Sequence, residues 1–417
     1  MIRFLTFWEK LRTNYWFVPG LMSICAIVLS FVLVGLDRTV RDDMVRELGW
    51  VYSGGPEGAR GVLSTIAGSV IGVAGTTFSI TIAVLSLATG QFGPRLLRGF
   101  MRDRGNQVVL GTFTSTFLYC LLVLRTVRGT DETTYVPHLS VTFAVLLAIL
   151  NMAVLIYFVN HVAESIQVSR IIEKVGEEVD ASIDRLFPEE IGTTEGRTAL
   201  PEGSSATIRA EESGYVVSVD DDSLLRTAEK HDLVLKLIAR PGDHIIRGMP
   251  LLSVWPEVGE SGDALQGAYA LSRTRTSFQD AEFALMELAE IGVRALSPGT
   301  NDPFTAIACL DRLAVSMCAL AERQRPSAFR HGKQGNLRIV AEPYPYGRLV
   351  EAAFGHLRHA AKGQPAVTER LRISLDLVAS RASDASLGAR QVVGRGVGVT
   401  AGLAGRPSLG GLPVPFA

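Results

Sequence analysis

The sequence has no excess of charge of either sign and contains few cysteines. Its 41 lysines and arginines are balanced by 42 aspartates and glutamates, so it lacks the basic surface that nucleic-acid-binding domains need. The four cysteines are Cys25, Cys120, Cys309 and Cys318, with no C-x-x-C pair of the zinc-binding type. Cys309 and Cys318 fall on one predicted helix about 13 Å apart, which is too far for a disulfide. The pattern predicts no zinc centre and is typical of a reducing compartment.

Charged residues are also missing from long apolar stretches in the first 161 residues, which we interpret as a transmembrane domain. The predicted spans are residues 16–36, 62–90, 107–124 and 139–160. An apolar helix of ~20 residues crosses a hydrocarbon core of ~30 Å, and the first run is too long for a cleaved signal peptide. No Asp, Glu, Lys or Arg lies within a span interior. This absence disfavours a coupled pump or secondary transporter and leaves a passive channel open.

Basic residues near the span ends favour a cytoplasmic N-terminus. This orientation places more of them inside than outside, including the cluster Arg95, Arg98, Arg102 and Arg104 between the second and third spans. An even number of spans returns the rest of the chain to the same side. The sequence therefore predicts a multi-pass membrane protein with both termini in the cytoplasm, and the family resemblance given below implies the bacterial inner membrane.

Small and hydroxylated residues form a stripe along the second predicted span. Its members recur at spacings of three and four, which places them on one helix face: Thr65, Ser69, Gly72, Thr76, Ser79, Ala83, Ser86 and Gly90. Two interpretations remain open. Small residues let helices approach closely in membranes, as Gly68-x-x-x-Gly72 does. Alternatively, Thr65, Ser69, Gly72, Thr76, Ser79 and Ser86 line a pathway for water and ions in an oligomer.

Other polar residues of the spans are predicted to form hydrogen bonds between helices. They are Thr112, Thr116, Tyr119, Asn151 and Tyr157.

The apolar helical period of the fourth span continues past the membrane and ends at Pro188. Residues 162–188 are therefore predicted to form a helical stalk, which is also suited to an oligomer contact. His161 and Glu164 lie one turn apart, and an interfacial contact between them is favoured over a metal site because no third ligand is evident.

Residues 200–258 are predicted to form a small β-rich domain. Short strands are expected at residues 206–211, 215–218, 233–238 and 251–254. Their glycine turns resemble the two halves of a biotinyl/lipoyl-like barrel-sandwich. The stretch that would carry the modifiable lysine looks helical, and Lys230 lacks the flanking pattern. We therefore expect a structural or regulatory β unit rather than a carrier domain.

Helices are predicted to return in residues 270–385, and the glycine-rich residues 388–417 are predicted to be disordered. The segment Ser297-Pro298-Gly299-Thr300-Asn301-Asp302-Pro303 separates two of these helices. Asp302 is expected to cap the second helix, with Pro303 at its first position. The alternative is a cytoplasmic polar site. Its candidate residues are Arg294, Asn301, Asp302, Thr305 and Asp311.

The chain resembles the bacterial domain-of-unknown-function 2254 family of predicted membrane proteins. The resemblance covers roughly residues 1–325 and is carried by residues 4–19, 49–68, 91–124, 137–167 and 294–313, the last reading RALSPGTNDPFTAIACLDRL. It implies a multi-span membrane part followed by a cytoplasmic domain, and it supplies no established activity. The glycine-rich tail departs from the helical ending expected of the family.

The resulting prediction is a mostly α protein with a four-helix membrane domain and a cytoplasmic α+β domain. No nucleophile–base pair, metal set or phosphate-binding glycine loop is visible, so we expect neither catalytic residues nor a cofactor. The leading hypothesis is an oligomeric passive pathway for ions or small solutes, regulated by the cytoplasmic domain. The alternative is a non-conducting membrane-anchored sensor or scaffold. The expected partners are the lipid bilayer and further copies of the chain.

Overall fold

The computed structural model describes residues 16–39, 51–92, 103–130, 133–165, 167–187, 199–256, 262–323 and 326–381. The predicted disordered tail, residues 388–417, lies outside this described part. The chain divides into an amino-terminal unit, Met1–Gln167, and a carboxy-terminal unit, Val168–Ala417.

Four long helices build the amino-terminal unit, and each contains most or all of one predicted span. They are α1 (Phe17–Thr39), α2 (Pro56–Phe92), α3 (Arg104–Leu124) and α4 (His138–Ser165). A short hairpin joins α3 to α4 through β1 (Arg128–Thr130) and β2 (Thr133–Tyr135). Helix α3 contacts the other three helices, and its Phe113, Tyr119 and Val123 are almost fully buried. Large apolar side chains such as Ile149 and Ile156 face outward, as helices solvated by lipid require.

Hydrogen bonds between helices stabilise the amino-terminal unit. Asn151 on α4 donates its amide to Thr116 Oγ1 on α3 at 2.8 Å, and the Tyr119 hydroxyl donates to the Ser140 carbonyl at 3.0 Å. These bonds confirm the predicted interhelical roles of Asn151, Thr116 and Tyr119. The side chains of Thr112 and Tyr157 instead bond within their own helices.

The predicted stalk is divided in the structure. Helix α4 ends at Ser165, and a separate helix α5 (Val168–Leu186) begins the carboxy-terminal unit. The apolar face of α5 is buried at Ile172, Val179 and Ile183, because it packs against two helices of that unit rather than standing alone.

The contact expected between His161 and Glu164 is replaced by others. His161 Nε2 lies 3.0 Å from Asp103 Oδ1, at the N-terminus of α3, and Glu164 accepts a hydrogen bond from Asn160 at 3.0 Å.

Two β-sheets in the carboxy-terminal unit pack around one hydrophobic core. The five-stranded sheet has the order β3-β7-β5-β10-β9, and the three-stranded sheet has the order β6-β4-β8. The strands are β3 (Ala206–Arg209), β4 (Gly214–Val219), β5 (Val234–Leu237), β6 (His244–Ile245), β7 (Pro250–Trp255), β8 (Tyr269–Ser272), β9 (Phe329–His331) and β10 (Leu337–Val340). Between β4 and β5 lies helix α6 (Asp221–Lys230), where a helical stretch was expected.

The β structure extends beyond the predicted residues 200–258. The strands predicted within that range correspond to β3, β4, β5 and β7. However, β5 also pairs in parallel with β10, through Leu235 opposite Ile339, and β4 pairs with β8. The later strands lie in the region predicted to be helical, so the β unit is not a self-contained barrel-sandwich.

The carboxy-terminal unit contains six further helices among its described residues, of which the first packs against the sheets through Leu265. They are α7 (Gly262–Gly267), α8 (Ala281–Ala295), α9 (Pro303–Glu322), α10 (Tyr346–Val350), α11 (His356–Ala360) and α12 (Pro365–Arg381), with a π-helical turn at Glu351–Gly355 between α10 and α11. Helix α9 packs against α5, α8 and α12. It is also long and apolar enough to cross a membrane, as are α1–α4. Composition therefore identifies five candidate spans among the described residues, not the predicted four.

Candidate functional site

The stripe of α2 faces away from α1, α3 and α4, the other described helices of its unit. All six candidate residues, Thr65, Ser69, Gly72, Thr76, Ser79 and Ser86, are exposed. The opposite face is buried at Leu63, Ala67, Val70 and Ala74. A Cβ atom added at Gly68, Gly72 or Gly75 would meet no atom within 4 Å. The stripe is therefore not a seam between α2 and the other described helices of the amino-terminal unit.

The hydroxyl groups of the stripe bond to the backbone of α2 itself. Thr76 Oγ1 donates to the Gly72 carbonyl at 3.1 Å, and Ser79 Oγ donates to the Gly75 carbonyl at 2.9 Å. Such bonds satisfy the hydroxyl proton without a partner helix. Each hydroxyl oxygen also has lone pairs that can accept further hydrogen bonds.

The candidate polar residues near α9 are separated into local pairs. Arg294 bonds to Glu290 one turn earlier, with Nη2–Oε1 at 2.9 Å. Asp311 accepts a hydrogen bond from Arg370 on α12, which raises the pKa of the Arg370 guanidinium. Asn301, in the left-handed region at φ +44°, accepts from the Gln364 amide at 2.9 Å. The Asp311 contact holds α9 to α12, whereas the Arg294 contact lies within α8 and the Asn301 contact joins the segments before α9 and α12. The three contacts do not converge on one ligand position.

Asp302 caps the N-terminus of α9. Its carboxylate accepts hydrogen bonds from the Thr305 hydroxyl at 2.6 Å and from the amides of Phe304 and Thr305 at 3.1 and 3.2 Å. The bond from the Thr305 hydroxyl is the main reason that the pKa of Asp302 is lowered from its usual 3.8. The SPGTNDP segment thus stops one helix and starts the next.

We expect Asp302→Ala to lower the free energy of unfolding by about 1 kcal/mol, the usual cost of losing an N-cap. Because the folded-state pKa is depressed, this stabilisation is complete above pH 3.8 and is lost as the pH falls through the folded-state value. Asp302→Asn keeps a capping oxygen that does not titrate. The stability difference between wild type and Asp302→Asn should therefore shrink from pH 6 to pH 3. An equal difference at both pH values would contradict this role.

Two ionic clusters were not anticipated from the sequence, one centred on the buried Asp280 and one on the half-buried Asp180. Asp280 accepts hydrogen bonds from Arg275 at 2.5 and 3.1 Å. Asp180 on α5 accepts from Arg312 and from the Ser316 hydroxyl on α9, at 2.5 and 2.6 Å. Gly176 makes room for the second cluster, since a Cβ there would lie 2.1 Å from Arg312 Nε. The second cluster joins segments distant in sequence, whereas Arg275 and Asp280 lie five residues apart. Only the N-cap position of Asp280 gave a local signal.

Within the described ranges, no group of three or more His, Cys, Asp or Glu side chains is arranged to hold a metal ion. The described polar clusters are paired side chain to side chain, which is the arrangement of structural contacts.

The comparisons with known proteins agree with a membrane protein. A family model described as "Predicted membrane protein (DUF2254)" matches residues 12–376. Uncharacterised proteins of Mycobacterium bovis and of two Mycobacterium tuberculosis strains are 33% identical over 348 residues, which cover 81% of this chain and 66% of each relative. The chain thus spans just under two thirds of the length of these relatives. No solved structure matches it significantly. With the family model covering most of its length, the chain belongs to the DUF2254 family of predicted membrane proteins.

Proposed function

We propose that this protein is an oligomeric passive pathway for ions or small solutes in the bacterial inner membrane, regulated by its cytoplasmic domain. The observation that carries the proposal is the outward direction of the α2 stripe. A row of hydroxyl oxygens and glycines exposed on a helix in lipid gains contacts when α2 helices of several copies surround a common axis. The uncharged span interiors fit passive rather than coupled transport.

We propose further that α1–α4 cross the membrane and that α9 does not. Strands β5 and β10 lie before and after α9 in sequence, yet they are hydrogen-bonded neighbours in one sheet. A single crossing by α9 would separate them across the bilayer. Helix α9 also carries Asp311 and Arg312 near its middle, and Arg312 is paired with Asp180 on α5. These features suit a core helix of a water-soluble unit.

The four-span topology predicts that cysteines placed before and after α9 react from the same side of the membrane. Ser204→Cys and Gln334→Cys suit the test because both positions are exposed. In a background without the native cysteines, a membrane-impermeant maleimide should label both in inverted vesicles and neither in right-side-out vesicles. Labelling from opposite sides would contradict four spans, and labelling of both only from outside would reverse the proposed orientation.

Regulation by the cytoplasmic domain is proposed because the connection is short. Only Ile166 and Gln167 separate the end of α4 from the start of α5. Since α5 is packed into the carboxy-terminal unit, a movement of that unit is transmitted to α4 through the chain itself.

The direct test is flux through proteoliposomes that contain the full-length protein. We expect a measurable ion or small-solute flux that changes by about tenfold in Ser69→Ala/Thr76→Ala/Ser79→Ala, if each lost hydroxyl contributes roughly 0.5 kcal/mol to a permeant's contacts, the low end for one hydrogen bond. The matched control is Thr77→Val/Thr81→Val, because these threonines lie on the same helix but are buried against the chain, at 6% and 8% exposure. Absence of flux under every ion gradient and membrane tension would refute the pathway.

Oligomer formation through the stripe has its own test. Cysteines at Ser69, Thr76 or Ser79 should cross-link between copies in native membranes. Cysteines at Ile149 or Ile156 provide the control, because they are exposed on α4 at 63% and 66%. Equal cross-linking at the α2 and α4 positions would indicate random collision and would argue against a stripe interface.

A non-conducting sensor or scaffold is the second candidate. It is favoured by the hydrogen bonds from the stripe hydroxyls to the backbone of α2. These bonds would also be present if the stripes of two copies packed together without water between them. Strong cross-linking along the stripe without flux would select this alternative.

A further inference from the structure

A small cavity lies between the last turns of α1 and α3. Its volume is about 160 Å³, and its lining includes Phe31, Val34, Gly35 and Arg38 of α1 with Leu122 of α3 and the following Arg125. The same two helices touch closely nearer their N-termini, where a Cβ on Gly111 would lie 2.5 Å from Met22 Sδ. The gap is therefore confined to the end of the unit that holds the β1–β2 hairpin.

Two guanidinium groups line this cavity without a carboxylate partner among the described residues. Arg38 and Arg125 are both exposed, and neither forms an ion pair with another described residue. The side chains of Ser30 and Thr126, also in the lining, already donate to the carbonyls of Ile27 and Val123 at 2.7 Å. The hydrogen-bond donors available to a ligand are therefore the two arginines, which favour a phosphate or a carboxylate.

The cavity changes from charged to apolar with depth. Phe31 precedes Arg38 by two helical turns, about 10 Å along α1, and Leu122 lies one turn inside Arg125. Since both arginines stand at the ends of apolar helices, the charged part lies at the depth of lipid headgroups and the apolar part at the depth of acyl chains. A small inorganic anion uses only the charged part.

The size of the cavity limits what it holds. At about 30 Å³ per water molecule, it takes roughly five waters. It is smaller than the ~300–1,000 Å³ typical of pockets that enclose a whole drug-sized ligand. It suits one phosphate group with the adjoining carbons of a molecule whose remainder lies in the bilayer.

We propose that this cavity is a binding site for an anionic phospholipid, with Arg38 and Arg125 on the phosphate and Phe31, Val34 and Leu122 against the acyl chain. The site is independent of the α2 stripe. It remains in place whether or not the protein conducts.

The test uses the full-length protein in a neutral detergent and counts bound lipids by native mass spectrometry. The probes are phosphatidylglycerol, phosphatidylcholine and inorganic phosphate. We expect one phosphatidylglycerol to bind roughly 10- to 30-fold more tightly than phosphatidylcholine, the range for two arginines near an anionic headgroup. Arg38→Gln/Arg125→Gln should remove this preference.

Two further variants distinguish lipid binding in the cavity from lipid attraction by the general surface charge. Arg60→Gln/Arg128→Gln removes the same charge from exposed arginines outside the cavity lining and should keep the preference. Gly35→Leu should lower phosphatidylglycerol binding with both arginines intact, because it fills the cavity from a position whose added Cβ meets no atom within 4 Å. The proposal is overturned if both double variants lose the preference equally, if Gly35→Leu binds as wild type does, or if inorganic phosphate displaces the lipid at equal concentration.

Discussion

Asp280→Ala is expected to lower the free energy of unfolding of the carboxy-terminal unit by about 3–5 kcal/mol, the usual cost of breaking a buried ion pair. The carboxylate is only 1% exposed and accepts two hydrogen bonds from Arg275, whose side chain is 19% exposed. It also accepts from the Phe283 amide at 3.0 Å as the N-cap of α8. Removing it leaves a largely buried guanidinium and an uncapped helix together.

The surroundings of Asp280 restrict how the structure can adjust. Glu282 lies 3.9 Å from Arg275 and is already paired with Arg348 at 2.8 Å, so it compensates weakly for a lost Asp280. Gly242 approaches from the turn before β6 at φ +92°, and a Cβ there would lie 2.4 Å from Asp280 Oδ2. We therefore expect Gly242→Ala to destabilise the same cluster from the opposite side.

Labelling of Cys309 measures this effect in the intact protein, because its thiol is fully buried in α9. A loss of 3 kcal/mol raises the population of the open state about 150-fold, and the labelling rate by a maleimide rises in proportion when closing is fast. Asp222→Ala is the control, since Asp222 is an exposed acid in the first turn of α6. Equal labelling rates in Asp280→Ala and the control would show that the cluster contributes little.

Asp37→Ala is expected to destabilise the amino-terminal unit by about 2–4 kcal/mol. Asp37 lies in the last turn of α1, yet it caps α4, accepting from the amides of Leu139 and Ser140 at 2.8 and 3.0 Å and from the Ser140 hydroxyl at 2.6 Å. Hydrogen bonds to a charged group contribute roughly 1.5–3 kcal/mol, and a negative charge at a helix N-terminus adds to them. The substitution also removes a direct bond between two helices.

Unfolding of the purified protein by increasing dodecyl sulfate in mixed micelles, followed by circular dichroism, tests this expectation. The midpoint should fall in Asp37→Ala and fall less in Asp37→Asn, which keeps one acceptor oxygen. Glu57→Ala removes an exposed acid from the first turn of α2 and should leave the midpoint unchanged. If the midpoint of Asp37→Ala matches that of the Glu57→Ala control, the hydrogen bonds of Asp37 do not stabilise the contact between α1 and α4.

Several elements could be predicted because their cause is local. The apolar runs that became α1–α4 need no partner to identify them, since a helix in lipid satisfies its own backbone. The Asp302 cap and the strands β3, β4, β5 and β7 follow from neighbouring residues in the same way. The local pattern also predicted that the small and hydroxylated residues within Thr65–Ser86 share one face of α2. It could not predict what packs against that face.

Only the tertiary structure shows which surfaces α2, α5 and α9 contact. The stripe faces outward because Leu63, Ala67, Val70 and Ala74 pack against the other helices. Helix α5 is a packed element rather than a stalk because Asp180 pairs with Arg312. Strand β10 pairs with β5, which lies about a hundred residues earlier in the chain. Each of these contacts joins residues far apart in the chain, and periodicity reports only which residues share a face, not which distant surface that face will meet.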